Sequence, residues 1–369
     1  MKKEELYYLM ALLRVDRVGD MVAKKLLRHF VSPKDIFTAS SQQLKNVEGI
    51  SDTLVRNIKK FNRFALVDKE FEFVEKHQIQ IISIFDPNYP YLLQQCPDAP
   101  LVLFYKGIDF SSYDNMLSIV GTRNITSNGI SFIKETIQNI REYNPTIVSG
   151  YAFGADIHAH LSAIDNGLKT LAVLGHGLQH TYPAMHKKYN AKIIENGGFL
   201  TEFWSTDSIN KENFVRRNRI VAGLSSGTVV VESAIKGGSL STARLANDYN
   251  REVMAVPGRI SDPYSAGCNH LIKTNQAHLI NSADDIVFQM GWESPVATKP
   301  KAIQPQLFVE LNEEEQLIAD YFENKEKELL DVISIDTKIP VHQLMVLLFN
   351  LEMKGLVKPM QGKYYQWSH

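Results

Sequence analysis

Residues 118–129 read SIVGTRNITSNG. An apolar run with Leu117, Ile119 and Val120 meets Gly121 and then turns toward a helical pattern. A nucleotide-binding α/β domain opens in this way. The dinucleotide fingerprint would place glycines at 121, 123 and 126. This chain has Gly121, Arg123 and Thr126 instead. An arginine stands where the second glycine would let a pyrophosphate rest on bare backbone.

Outward from this turn, residues 115–290 alternate short apolar runs with helical patterns, as a parallel sheet covered on both faces requires. Strands are predicted at 116–121, 146–150, 170–175, 199–203, 228–233, 252–258 and 277–280. Helices are predicted at 128–142, 155–166, 184–196, 213–225, 239–250 and 283–290. Strand-then-glycine recurs at Gly121, Gly150, Gly175 and Gly258. Ligands of open parallel sheets sit at the carboxyl ends of the strands, so these glycines are expected on one rim.

The flanks differ in character. Residues 1–75 read as helices, and two stretches repeat one plan: 12–30 with a turn at Val18-Gly19, and 44–61 with a turn at Gly49-Ile50-Ser51. Each turn precedes a basic helix with Ala23, Leu26 and Leu27, or Leu54, Val55 and Ile58, inward. This resembles tandem helix-hairpin-helix motifs, in an arrangement like a SAM domain. Each copy keeps one of the motif's two glycines, with Arg17 and Ser51 at the others' places. A packing domain without DNA contact fits the same pattern. Residues 76–110 form a proline-marked connector with strands at 78–84 and 101–107, assigned with the sheet to one domain, 76–292. Residues 293–306 read as a linker. Residues 307–369 give helices over LNEEEQLIADYF, KELLDVISIDTKI and 340–356, then a hairpin around Gln361-Gly362, which is a winged-helix pattern. That third helix carries few bases, which favours a protein-facing or vestigial role over reading DNA.

The chain has 369 residues, of which 44% are hydrophobic and 22% charged, an ordinary globular balance. Net charge is −1, so total charge does not argue for a polyanion. Local charge does: residues 1–64 hold 13 Lys+Arg against 7 Asp+Glu, and KENFVRRNR at 211–219 holds four bases against one acid. The two cysteines, Cys96 and Cys268, have no metal or redox spacing. No apolar run is long enough to span a bilayer, and no signal-peptide pattern opens the chain, so a cytoplasmic protein without a membrane partner is expected.

Four rim elements are suited to anions: Gly121-Thr122-Arg123, SGYAFGADIHAH (149–160), GHGLQHTYP (175–183) and KGGSLSTAR (236–244). Glycine turns bare their amides at helix N-termini, where the helix dipole favours a phosphate. Catalytic templates fail. The chain contains no Walker A loop, no nucleophile elbow and no HExxH. His176, His180 and His186 lack an acid or cysteine among them, so no metal and no cofactor are expected. Glu202 and Glu232 end strands and form a conceivable acid/base pair, though such isolated acids more often cap a turn or pair a base.

The motifs G-T-R, S-G-x-A-x-G-A-D, FVRRNRIVAGLS (214–225), ESAIKGGSLSTARLA (232–246), VPG (256–258) and GCNHLI (267–272) occur in one order. Together they closely resemble the DNA-processing protein A (DprA/Smf) family over about residues 100–287. The resemblance implies a Rossmann-like doubly wound, mostly parallel sheet that binds single-stranded DNA without sequence preference. It implies a homodimer through that domain, loading of the RecA recombinase, and protection of incoming DNA in natural transformation. It assigns DNA contacts to Gly121, Thr122, Arg123, Gly150, Phe153, Gly154, Arg216, Arg217, Asn218, Gly237, Gly238 and Ser239, and no catalytic residue. The family's lysine after Tyr-Pro is Ala184 here, and Lys187 or Lys188 stands in for it a turn later. Arg216, Arg217 and Arg219 extend a basic track on this reading, and Tyr151, Phe153 and Tyr182 offer stacking faces or packing. The rival is a nucleotide-binding or nucleoside-phosphate-hydrolysing enzyme with P-G-G-x-G-T-x-x-E. This chain keeps Gly237 and Gly238 of that motif but places Arg244 at the catalytic glutamate.

Overall fold

The computed structural model describes residues 1–113, 115–293, 311–322, 325, 327–360 and 363–367. Of the linker read at 293–306, all but residue 293 lies outside the described residues, as do Gln361 and Gly362 of the hairpin tip. The chain divides into two compact units, 1–295 and 296–369.

The first unit opens with helices α1 (Lys3–Leu13), α2 (Asp20–His29), α3 (Pro33–Thr38), α4 (Ser41–Lys45), α5 (Asp52–Lys59) and α6 (Phe64–Lys76). The short ones are held by their caps: Ser32 with Asp35 and Ser40 with Gln43 each form a reciprocal capping box. Then follow β1 (Gln80–Ser83), α7 (Tyr91–Gln94), β2 (Val102–Gly107), β3 (Leu117–Val120), α8 (Ser127–Asn139), β4 (Ile147–Ser149), α9 (Ala155–Asp165) and β5 (Thr170–Val173). The rest of the unit is α10 (Asn190–Glu195), β6 (Gly197–Thr201), α11 (Lys211–Leu224), β7 (Gly227–Val230), α12 (Gly238–Asp248), β8 (Glu252–Ala255), α13 (Ala266–Lys273), β9 (His278–Leu279) and α14 (Ala283–Met290).

The sheet has nine strands in the order β1-β2-β6-β5-β4-β3-β7-β8-β9. From β6 to β9 every pairing is parallel. The connector strands β1 and β2 add an antiparallel edge on β6. The chain winds outward from β3 through β4 and β5 to β6, then crosses back along α11 to β7. Strand order therefore reverses at β3/β7, where loops diverge and a crevice opens. All residues of β3 to β7 are buried, which explains their unbroken apolar runs.

Alternation splits the core in two. Leu117, Ile119, Ile147 and Val229 pack one face with Ile133 and Ile137 of α8 and Ile286 of α14. Val120, Val148, Leu171 and Val173 pack the other with Ile220 and Val221 of α11. The same cluster continues into Leu12, Leu26, Leu44, Leu54 and Ile58, so the six helices share a core with the sheet. Polar ties reinforce this: Leu101 N donates to Asp20 Oδ1 at 3.0 Å, and Ser205 donates to Glu70 from its amide and hydroxyl at 2.9 and 2.6 Å.

Several sequence readings need correction. The helix read at 184–196 begins as a 3₁₀ turn, Ala184–Tyr189, before α10. Strand β6 starts two residues before the predicted 199, at Gly197. Its two glycines leave room for the neighbouring strands: a Cβ on Gly197 would overlap the Thr170 carbonyl of β5, and one on Gly198 the Tyr105 ring of β2. GCNHLI, read only as a motif, lies in α13.

The second unit contains α15 (Glu313–Phe322), β10 (Lys327–Leu329), α16 (Leu330–Thr337), α17 (Val341–Met353), β11 (Val357–Met360) and β12 (Tyr364–Trp367). Its sheet runs β10-β12-β11, all antiparallel. The sequence read KELLDVISIDTKI as helix throughout. Its first three residues instead pair with Tyr364–Gln366 as a strand. Leu344, Leu347, Leu348 and Leu351 are buried with Ile318, Phe322 and Ile333, as the spacing predicted. Among the described residues no single helix is long and apolar enough to cross a membrane.

Candidate nucleic-acid interface

The β3/β7 crevice holds a cavity of about 460 Å³. Three loops and one helix build it. After β3, Thr122 N donates to Glu232 O at 2.6 Å, drawing the β3 and β7 ends together. A side chain on Gly121 would press on Ala155 Cβ at 2.8 Å, so only glycine fits. After β4, Gly154 adopts φ +76° at the N-cap of α9, and a Cβ there would run into the backbone of Thr122 and Arg123. Ala155 N donates to Thr122 O at 3.1 Å, which locks the two loops edge to edge. After β7, Gly237 precedes α12, whose first turn contains Gly238 and Ser239. Ser239 Oγ is fixed by Ser233 Oγ at 2.8 Å.

Helix α11 closes the fourth side with Lys211, Phe214, Arg217 and Asn218. Arg217 is buried, with Nη1 donating to Val173 O at 2.6 Å and Nε unpartnered. Burial pulls its guanidinium down to about 10, partly offset by the nearby Asp156 carboxylate, so it stays charged at neutral pH. Asp156 also lines the cavity, accepts from Ala152 N at 3.2 Å and is pushed up by burial. Asn218 Nδ2 donates to Ser241 Oγ at 3.1 Å. Arg123 is exposed on the rim and has no carboxylate partner among the described residues. Against the one acid, Asp156, stand three bases: Arg123, Lys211 and Arg217. Bare amides, a helix N-terminus and a surplus of fixed positive charge suit an anion.

The sequence-derived residues Gly121, Thr122, Arg123, Gly150, Arg217, Asn218, Gly237, Gly238 and Ser239 all line this cavity. Gly150 lies beneath the Arg217 guanidinium, which occupies the space of a Cβ. Phe153 borders an adjoining hollow with Arg123, Tyr182 and Phe214. Phe153 and Tyr182 are 39% and 42% exposed, with the rings of His186 and Phe214 against them at centroid distances of 4.9 and 5.3 Å. Tyr151 is not available. It is buried, and its hydroxyl donates to His186 O or Asn190 Oδ1 at 2.9 and 2.8 Å. Lys187 and Lys188 are exposed on the 3₁₀ turn and do not line the cavity.

Arg216 and Arg219, read as extending the basic track, are not unpaired bases. Arg216 pairs with Glu202 at 2.5 Å and Asp20 at 3.2 Å. Arg219 is buried against the same two acids at 2.6 and 3.0 Å and also donates to the Asp98 carbonyl. The 3.6-residue period sends 216 and 219 to one side of α11 and 217 to another. Nor do Glu202 and Glu232 form a free acid/base pair. Glu232 accepts from Thr126 N and Oγ1 at 2.9 and 2.6 Å, at the start of α8. Among the described residues no three metal-ligating side chains gather. Thr242, a hydroxyl donor of the KGGSLSTAR loop, also lines the cavity, whereas sequence reading did not select Lys211, Phe214 or Ser233 of its wall. Lys211 opens the basic run KENFVRRNR, which was the available signal.

The fold and site define a class: a doubly wound α/β protein with a glycine-lined crevice at its switch point, walled by more bases than acids. The family model for DNA recombination-mediator protein A matches residues 80–291, and the chain belongs to this family. It is 34% identical over 298 residues to Protein Smf of Synechocystis sp., covering 79% of this chain and 74% of that protein. It is 32% identical over 292 residues to DNA processing protein DprA of Bacillus subtilis, covering 78% and 97%. The crystal structure of DNA processing protein A from Streptococcus pneumoniae superposes with a TM-score of 0.66 at 31% identity, over 78% of this chain and 98% of that one. DNA processing protein A from Helicobacter pylori, described for its single-stranded DNA binding mode, gives 0.52 at 27%, over 58% and 95%.

Proposed function

We propose that this chain binds single-stranded DNA without sequence preference and that the β3/β7 cavity holds its phosphates. One observation carries this reading. Arg123, Lys211 and Arg217 converge on a cavity floored by glycine amides, with Asp156 as the one acid in its wall. A planar guanidinium grips a phosphate through two parallel hydrogen bonds, which a glycine at 123 would not. Gly121, Thr122, Gly150, Gly154, Gly237, Gly238 and Ser239 shape the cradle, and Asn218 adds an amide donor. Phe153 and Tyr182 are the stacking platforms, since every base offers a π-face. Lys187 and Lys188 guide the strand outside the cavity, in place of a lysine at Ala184. Arg216 serves the fold.

The finer assignments belong to the same proposal. Residues 1–75 are an N-terminal helical domain with tandem helix-hairpin-helix-like motifs at 12–30 and 44–61, the sheet domain spans 76–292, and 307–369 is a winged-helix domain. The protein works in the cytoplasm, pairs as a homodimer through its sheet domain, and delivers the strand to the RecA recombinase during transformation. Family membership, over residues 80–291, supports the part played by the sheet domain. No cofactor and no catalytic residue take part. In the rival hydrolase reading, Arg244 replaces the catalytic acid, which argues for a polyanion over hydrolysis.

Fluorescence anisotropy with labelled dT oligomers, duplex DNA and mononucleotides tests the reading. Single strands are expected to bind tightest, with affinity falling as salt rises. Turnover of a nucleoside monophosphate by the purified protein, or preference for a free nucleotide over dT oligomers, would establish the enzyme reading instead.

A further inference from the structure

Helix α17 buries Leu344, Leu347, Leu348 and Leu351 in the C-terminal core. Its opposite face is also apolar. Val341, Met345, Val346, Phe349 and Met353 are 39%, 52%, 59%, 59% and 75% exposed. Four of these recur every fourth residue, which makes one continuous ridge along the helix. No lysine or arginine lies within Val341–Met353, so nothing on this ridge would meet a phosphate. A helix hydrophobic on both faces in a small domain marks a contact surface.

We propose that this surface is covered by α17 of a second copy of the chain, packed antiparallel about a two-fold axis at residue 347. The spacing admits a second copy as the occupant. Reversal about 347 sets 341 level with 353 and 345 level with 349, so the ridge meets its own pattern. Such self-complementarity is what an isologous contact requires. Charge agrees. The helix has one acid, Glu352, which is exposed, and reversal sets it level with the exposed His342 of the other copy. A parallel pair would instead place the two glutamates side by side. Ridges of i, i+4 type on both helices interdigitate in the commonest helix-packing class. The five exposed side chains amount to on the order of 1,000 Å² for the pair, the low end of specific interfaces. The contact is therefore modest. It becomes strong when another interface already holds two chains together and raises the local concentration.

Site-specific disulfide formation in the full-length chain tests the pairing. The native Cys96 and Cys268 are buried and stay silent. Chains carrying Met345→Cys and chains carrying Phe349→Cys are mixed and mildly oxidised. The mixture is expected to give mostly covalent dimer. Each variant alone should give little, because identical positions lie about 6 Å apart along the axis at 1.5 Å per residue. A control mixture of Gln343→Cys and Asn350→Cys, off the ridge, should also stay low. Val346→Lys introduced into both cysteine variants should lower the yield about tenfold, with the helical spectrum unchanged. A dimer held through another surface does not bring 345 opposite 349 by itself. The proposal fails if the 345/349 mixture links no better than the control, if the single variants link equally well, or if Val346→Lys leaves the yield unaltered.

Discussion

Helix α11 carries one side-chain type to two different environments. On one side Arg219, with the half-exposed Arg216, is neutralised by Asp20 and Glu202. On the other, Arg217 stands with Arg123 and Lys211 around a cavity whose wall holds one acid, Asp156. Burial pushes Glu202 up, and the two guanidiniums oppose that push. The difference separates two uses of charge. A matched, mostly buried cluster fixes α2 and the residue after β6 to α11, whereas surplus positive charge on a rim remains available to a polyanion.

The sharpest way to break this contrast is to remove a member of the matched side. Arg219→Ala leaves two buried carboxylates with one partly exposed partner, and should destabilise the fold by about 3–5 kcal/mol in a denaturant titration. Next in size is a change on the open side. Phe153→Ala should weaken dT oligomer binding by about 1–3 kcal/mol, the worth of one base stack, with the unfolding midpoint unmoved. Tyr151→Phe tests the converse: its buried hydroxyl serves the fold, so strand affinity should hold while stability drops by about 1 kcal/mol.

Acid probes the interior beneath the cavity. Burial pushes the His160 imidazole down from 6.5 to about 3. Between those values the unfolded chain binds a proton that the folded chain does not. Stability from this group is therefore complete above about pH 6.5 and is lost as pH falls toward 3. His160→Gln should flatten the stability–pH curve over that window by about 1.4 kcal/mol per pH unit. The smallest effect is expected from the Lys187→Ala/Lys188→Ala double variant. Its salt dependence should become shallower by about 0.7 in log–log slope per lost phosphate contact, with little change at high salt.

The parallel sheet and its glycine rim were legible because both rest on local rules: unbroken apolar runs for buried strands, and glycine where two backbones touch. Thus Gly121, Gly150, Gly237 and Gly238 could be read from the sequence and meet at one cavity. What escaped depends on the angle around a helix and on distant partners. Nothing near Arg216 in sequence announces Asp20 and Glu202. Tyr151 looks like an exposed loop aromatic until His186 and Asn190 close over it. Strand β10 reads as helix because its pairing partner, Tyr364–Gln366, lies more than thirty residues downstream.

On the proposed function, Arg123, without a carboxylate partner among the described residues, binds the strand, whereas Arg216, paired with Asp20 and Glu202, does not. Arg123→Ala and Arg216→Ala, measured side by side for dT oligomer affinity at two salt concentrations, test it directly. The account predicts a loss of about tenfold or more for Arg123→Ala at low salt, narrowing at high salt, with stability changed by no more than about 0.5 kcal/mol. It predicts near wild-type affinity for Arg216→Ala in the folded protein. Equal affinity of wild type and Arg123→Ala at both salt concentrations would contradict it.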